Sequence, residues 1–189
     1  FREFSGLCMK IQNCMAPICV LTFYIIIKMS RPESPINKII SLLQVKGLID
    51  ALEEITQDSA ASNSEDTQEN CPFSVGKVPK INLESYFNRI IKYCKLQEGS
   101  FIAMMIYLDK AAEKIDLTAF NIHRLILGSL VSAMKYTCDI CSNNIFFAKV
   151  GGVTPNEMCV IESAFLVLMD YNLYIKDEEY ERYYSFIRG

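Results

Sequence analysis

The chain has no tryptophan and a single histidine, His123, among its 189 residues. One imidazole leaves a histidine metal site, a Ser–His pair or a Cys–His pair resting on that residue alone, which weighs against enzyme chemistry of those kinds. There is no dense basic block either. The 19 Lys and Arg stand against 22 Asp and Glu, for a net charge of −3, so nucleic acid and acidic membrane surfaces are not favoured partners. No segment alternates strictly between apolar and polar, and no Asn-Gly or Asp-Gly turn appears, so hairpins lack a signal. The apolar run from Ala16 to Ile27 is twelve residues long, short of the ~20 a spanning helix needs.

What is present suits one domain with extensions: 51% of residues are hydrophobic, enough for a substantial core. Of the eight cysteines, Cys94, Cys138 and Cys159 fall inside or at the ends of helical patterns, where Cys acts as a small hydrophobe. Cys8, Cys14 and Cys19 belong to the N-terminal segment. Reduced thiols in a nuclear or cytoplasmic setting are therefore expected, not a disulfide framework. Residues 1–28 read as a leader or a gene-model artefact, with Met29 as an alternative start, and carry no weight in the fold.

Residues 29–56 are expected to hold an N-terminal helix, since Ile36, Ile39, Ile40, Leu43, Leu48, Leu52 and Ile55 recur at roughly helical intervals. Residues 57–76 read as a flexible linker, acidic and without large apolar side chains up to Asn70, with order resuming near Phe73 to Pro79. Five long helices follow. The first carries Leu83, Phe87, Ile90, Ile91 and Cys94 after Asn82 as N-cap; the second opens at Gly99-Ser100 and carries Phe101, Met104, Met105 and Leu108. The third, from about Ala119 to Tyr136, is apolar on nearly every side, the mark of a central helix. Thr154-Pro155-Asn156-Glu157 is a capping box with proline at the first helical position, opening a fourth helix that ends near Asn172. The fifth runs from about Asp177 to Ile187, with acidic residues in its first turn. The fold class is all-α.

Several residues invite chemistry and have plainer explanations. Cys138 and Cys141 form a lone CxxC, without the second pair that zinc needs or the βαβ setting of a thioredoxin site. His123 reads as a structural histidine. Gly151-Gly152 lacks phosphate-loop spacing around it and reads as a turn needing positive φ. Asp109 is expected to pair with Arg89 of the preceding helix. Lys135 and Glu162 differ from these: each follows small or apolar residues on a core helix, where an unpaired charge is costly. They pair with each other, face solvent, or grip a partner.

The strings INLESYFNRIIKY, IYLDK, FNIHRLILGSLVSAMKY, SNNIFFAKVGG and TPNEMCVIESAFLVLMDYNL resemble the cyclin box. The resemblance is nearest to the single-box P-type cyclins, called U-type in plants and related to the yeast phosphate-pathway cyclin. It spans Pro79 to Ile187, with the box placed at 77–189 and built as five helices around a central one; Asn144 to Val150 supplies a short helix between the third and the capping-box helix. The resemblance implies that Lys135 and Glu162 clamp a cyclin-dependent protein kinase, with Tyr136, Leu166, Tyr171 and Leu173 as apolar kinase-facing contacts. Some positions depart from the pattern. Lys110 stands where the family has Arg, Tyr136-Thr137-Cys138-Asp139 replaces the usual aromatic and paired acids, and no Met-Arg-Ala-Ile-Leu docking patch is evident.

The implied function is that of a regulatory subunit, not an enzyme, in a heterodimer with the kinase. It needs no cofactor or metal. It activates by favouring the inward position of the kinase αC helix. A kinase-independent transcription adaptor of the same fold is the alternative, and a thiol enzyme using Cys138 and Cys141 a third.

Overall fold

Ten consecutive residues, Leu125 to Met134, are buried in a single helix, and the rest of the molecule is arranged to cover them. The computed structural model describes residues 49, 50, 52–54, 56 and 71–188, and no strand occurs among them. The helices over 83–188 are α1 (Leu83–Cys94), α2 (Glu98–Ala112), α3 (Ile122–Thr137), α4 (Asn144–Gly151), α5 (Pro155–Leu168) and α6 (Asp177–Arg188). The all-α expectation and the central third helix are both observed.

Helix α3 packs most extensively on α2 and then on α5, with α4 bridging α1, α3 and α5, and α6 laid against α2. Helix α2 is buried continuously from Ser100 to Asp109, so these two rods form a nearly dry centre. Gly128 lets α3 and α5 approach: a Cβ there would lie 2.8 Å from the Phe165 ring. Phe165 in turn meets Phe73 edge to face at 6.3 Å, which seats the segment before α1 on the core.

Caps set most of the boundaries. The Asn82 side chain accepts from the Ser85 N–H and opens α1. The Thr154–Glu157 capping box opens α5 as expected, with each side chain meeting the other's backbone N–H. Helix α3 starts at Ile122, not Ala119, because Asn121 bonds back to the Thr118 N–H and the Asp116 carbonyl and holds a turn there. Gly152 has φ +72° and ends α4, whereas Gly151 is helical. Helix α5 stops at Leu168, short of the expected Asn172, because Asp170 and Tyr171 both take left-handed backbone conformations. Lys114 secures that end, donating to the Leu168 carbonyl at 2.7 Å and to the Asp170 carboxylate at 2.6 Å.

The Arg89–Asp109 pair is not formed. Arg89 Nε donates to the Val150 carbonyl at 2.6 Å, tying α1 to the end of α4, while Asp109 accepts from the Tyr183 hydroxyl of α6. Residues 1–28, most of the helix expected over 29–56 and the linker through residue 70 lie outside the described residues. Within the 29–56 span, Ile49, Leu52 and Thr56 are helical and buried.

Candidate functional site

Position 135 lies in the last turn of α3 and position 162 in the middle of α5, and the close α3–α5 packing brings their side chains together. Lys135 Nζ stands 2.5 Å from Glu162 Oε1. Asn144, the first residue of α4, completes a closed ring: its Oδ1 accepts from Lys135 Nζ at 2.7 Å, and its Nδ2 donates to Glu162 Oε2 at 2.6 Å. The ring is not sealed, since the Lys135 and Glu162 side chains keep 36% and 17% of their surface exposed.

Asn143 makes this geometry possible. It spends its own side chain on the N-cap of α4, accepting from the Phe146 N–H at 3.0 Å, which leaves Asn144 free to face α3 and α5. Reading the sequence missed Asn144. The available signal was the Asn-Asn pair opening a short helix, one to cap and one to spare.

The other expected contact residues differ in exposure. Tyr136 is half exposed and Tyr171 is 71% exposed. The left-handed backbone at Asp170 and Tyr171 turns that ring outward, after the Tyr171 N–H has closed a 2.8 Å bond to the Leu166 carbonyl. Leu166 and Leu173 are half-buried. Leu173 is pinned from below, because its carbonyl accepts from the Tyr107 hydroxyl at 2.6 Å and Tyr107 itself is fully buried. Ile140, almost wholly exposed, and Ile145 add apolar surface that the sequence reading did not single out.

The remaining candidates lie apart from one another or serve the fold. Cys94 is buried, and burial pushes its thiol up to about 12. Burial likewise raises the Cys141 thiol, helped by neighbouring Cys138. No group of three metal-ligating side chains occurs among the described residues. His123 packs edge to face on Tyr86, with Nε2 3.0 Å from the Ile81 carbonyl; a carbonyl only accepts, so Nε2 carries the proton. Burial lowers its pKa, favouring the neutral ring.

The described residues thus form an all-helical domain around a buried third helix, with an accessible Lys–Glu–Asn ring between α3, α4 and α5. The model of the Cyclin family matches residues 37–173, and the chain belongs to the cyclin family, whose members are regulatory proteins and not enzymes. It is similar to the PHO85 cyclin-like protein psl1 of Schizosaccharomyces pombe, with 36% identity over 115 residues, covering 59% of this chain and 47% of that protein. It is similar as well to Cyclin-U4-2 of Arabidopsis thaliana, with 31% identity over 163 residues, covering 84% of this chain and 75% of the relative. Cyclin-P4-1 of Oryza sativa subsp. japonica is 30% identical over 114 residues, covering 59% and 54%. The chain thus spans about half the length of the first and third of these relatives.

Proposed function

We propose that this chain is the regulatory subunit of a cyclin-dependent protein kinase, and that it activates the kinase by binding best when the kinase αC helix is held inward. The supporting observation is the Lys135–Glu162–Asn144 ring, which is ordered in advance and still has hydrogen-bonding capacity to spare. An ammonium has three N–H groups and Lys135 uses two; a carboxylate offers about four lone-pair positions and Glu162 uses two. The unspent donor suits a kinase backbone carbonyl, and the unspent oxygens suit backbone N–H groups. Exposed Tyr136 and Tyr171, together with half-buried Leu166 and Leu173, would exclude water around those bonds and strengthen them.

The mechanism is population shift. A kinase alone seldom keeps its αC helix inward with its Lys–Glu pair formed, and a partner that prefers that state draws the equilibrium toward it. A stable pairing of this kind buries ~1,200–2,000 Å². The setting that goes with this reading is nuclear or cytoplasmic, where such kinases act and where the thiols of Cys71, Cys94, Cys138, Cys141 and Cys159 remain free.

The test is capture and phosphotransfer with purified chain and candidate kinases. Wild type raises phosphotransfer. Glu162→Ala weakens kinase capture by about 2–5 kcal/mol, the cost of leaving a desolvated partner unpaired, while its helical circular dichroism is unchanged. Loss of helicity in that variant, or capture at wild-type strength, contradicts the proposal.

A further inference from the structure

Helix α3 borders a cavity of about 250 Å³ at its start, lined by Arg89, His123 and Arg124 among others, and runs into a pair of thiols at its end. Cys138 caps α3, and Cys141 follows in the connection that leads to Asn144. Lys135 and Asn144 stand on either side of this connection, so its shape decides how well their ring closes. The chain leaves α3 extended at Cys138 (φ −108°, ψ 127°), then bends at Asp139 and again at Ile140. A reversal over four residues brings its ends to within ~7 Å, the reach of a disulfide. The Cys141 thiol registers that nearness: burial first and Cys138 second push it upward, while Lys135 pulls it down. Both thiols are half-buried, open enough for a small oxidant.

The reduced thiol of Cys138 has a task in the fold. Thr137 spends its one hydroxyl proton on the Ala133 carbonyl at 2.8 Å. Its oxygen therefore accepts from Ser100 at 2.7 Å, and buried Ser100 Oγ in turn accepts from the Cys138 S–H at 3.4 Å. This relay ties the end of α3 to the first turn of α2, and it runs only while Cys138 carries its proton. Oxidation at Cys138 therefore acts on the helix end that presents Lys135.

We propose that Cys138 and Cys141 form a disulfide when hydrogen peroxide rises, and that this bridge loosens the Lys135–Glu162–Asn144 ring. Peroxide gives an oxygen to one thiolate, which becomes a sulfenic acid as hydroxide leaves, and the hydroxide takes up the proton that this thiol released. The second thiol then attacks that sulfur, the S–S bond forms, and the oxygen departs as water. Two thiols are oxidised and one peroxide is reduced to two waters. Once bridged, Cys138 has no proton for Ser100 and its sulfur turns to Cys141, which re-sets the connection up to Asn143, whose cap places Asn144. Because burial raises the Cys141 thiol, the pair stays reduced at low peroxide and reacts as peroxide climbs. The consequence for function rests on the kinase-binding reading: the oxidised chain captures kinase more weakly.

The experiment takes the full chain, reduced with dithiothreitol and then treated with hydrogen peroxide. Non-reducing peptide mapping after thiol alkylation locates the bridge, and NMR of the Asn144 side-chain amide follows the ring in the chain alone. Peroxide should join Cys138 to Cys141 and move the Asn144 amide resonances, and dithiothreitol should reverse both changes. Kinase capture should fall by about tenfold or more, the worth of one charge-assisted hydrogen bond. Cys141→Ser should match reduced wild type in its Asn144 resonances and kinase capture, and lose the response to peroxide. A bridge to Cys94 or Cys159 instead, oxidation without a bridge, unmoved Asn144 resonances in the bridged chain, undiminished capture by it, or a full peroxide response in folded Cys141→Ser would each overturn the proposal. A reduced chain that captures no kinase contradicts the proposed function alone, and the mapping and the Asn144 resonances still decide the switch.

Discussion

An ammonium and a carboxylate 2.5 Å apart, both partly open to water, contribute little to holding a fold together; pairs of this exposure are worth at most about 1 kcal/mol. Placing such a pair between two core helices therefore makes more sense as preparation for a partner than as a staple. Each charge alone was legible in the sequence, because a lysine and a glutamate amid small and apolar neighbours stand out. Their mutual bond was legible only as an option, since pairing depends on how closely α3 and α5 approach, and Gly128 sets that distance through space. Arg89 shows the opposite outcome: pairing it with Asp109 matched the charges, but helix-end carbonyls and a tyrosine took the two side chains instead. His123 gives a prediction at this scale. Its pKa is held below the ordinary 6.5 by burial, with Arg89 and Arg124 lining the same cavity, so the unfolded chain takes up a proton more readily than the folded one. Stability should be full above pH 6.5 and fall as pH drops through the lowered folded value. Urea unfolding at pH 7.5 and about 5.5 checks this, and His123→Gln should show the smaller loss.

Elements were easiest to read where chemistry is local. The Thr154–Glu157 box announced the start of α5 because its bonds lie within four residues. Thr154→Ala should cost about 0.5–2 kcal/mol and lower Tm by a few degrees, measurable by thermal circular dichroism. The end of α5 was misjudged by several residues because it depends on a long-range contact, Lys114 in the turn after α2 reaching Leu168 and Asp170. Helix α6 was legible as a helix, but its attachment to α2 was not. Tyr183 and Asp109 are 74 positions apart, and both are buried where they meet. Tyr183→Phe should destabilise the fold by about 1–3 kcal/mol, the cost of leaving a buried acceptor without its partner. Hydrogen exchange should quicken first in α6, while α3 stays protected.

At the scale of the whole molecule, the burial of α3 leaves only its two ends for recognition. One end carries the Lys135 ring and the other borders the cavity lined by His123 and Arg124. The most direct measurement exchanges the charges. In the double variant Lys135→Glu with Glu162→Lys, the two side chains can still pair with each other and with Asn144, whose amide turns to suit either arrangement. Kinase clamping by this ring predicts a double variant that melts near wild type yet fails to raise phosphotransfer, because the spare donor and acceptors now face the wrong backbone groups. If the swapped pair restores the activity that each single change removes, the ring serves only its own fold and the kinase-clamping role is wrong.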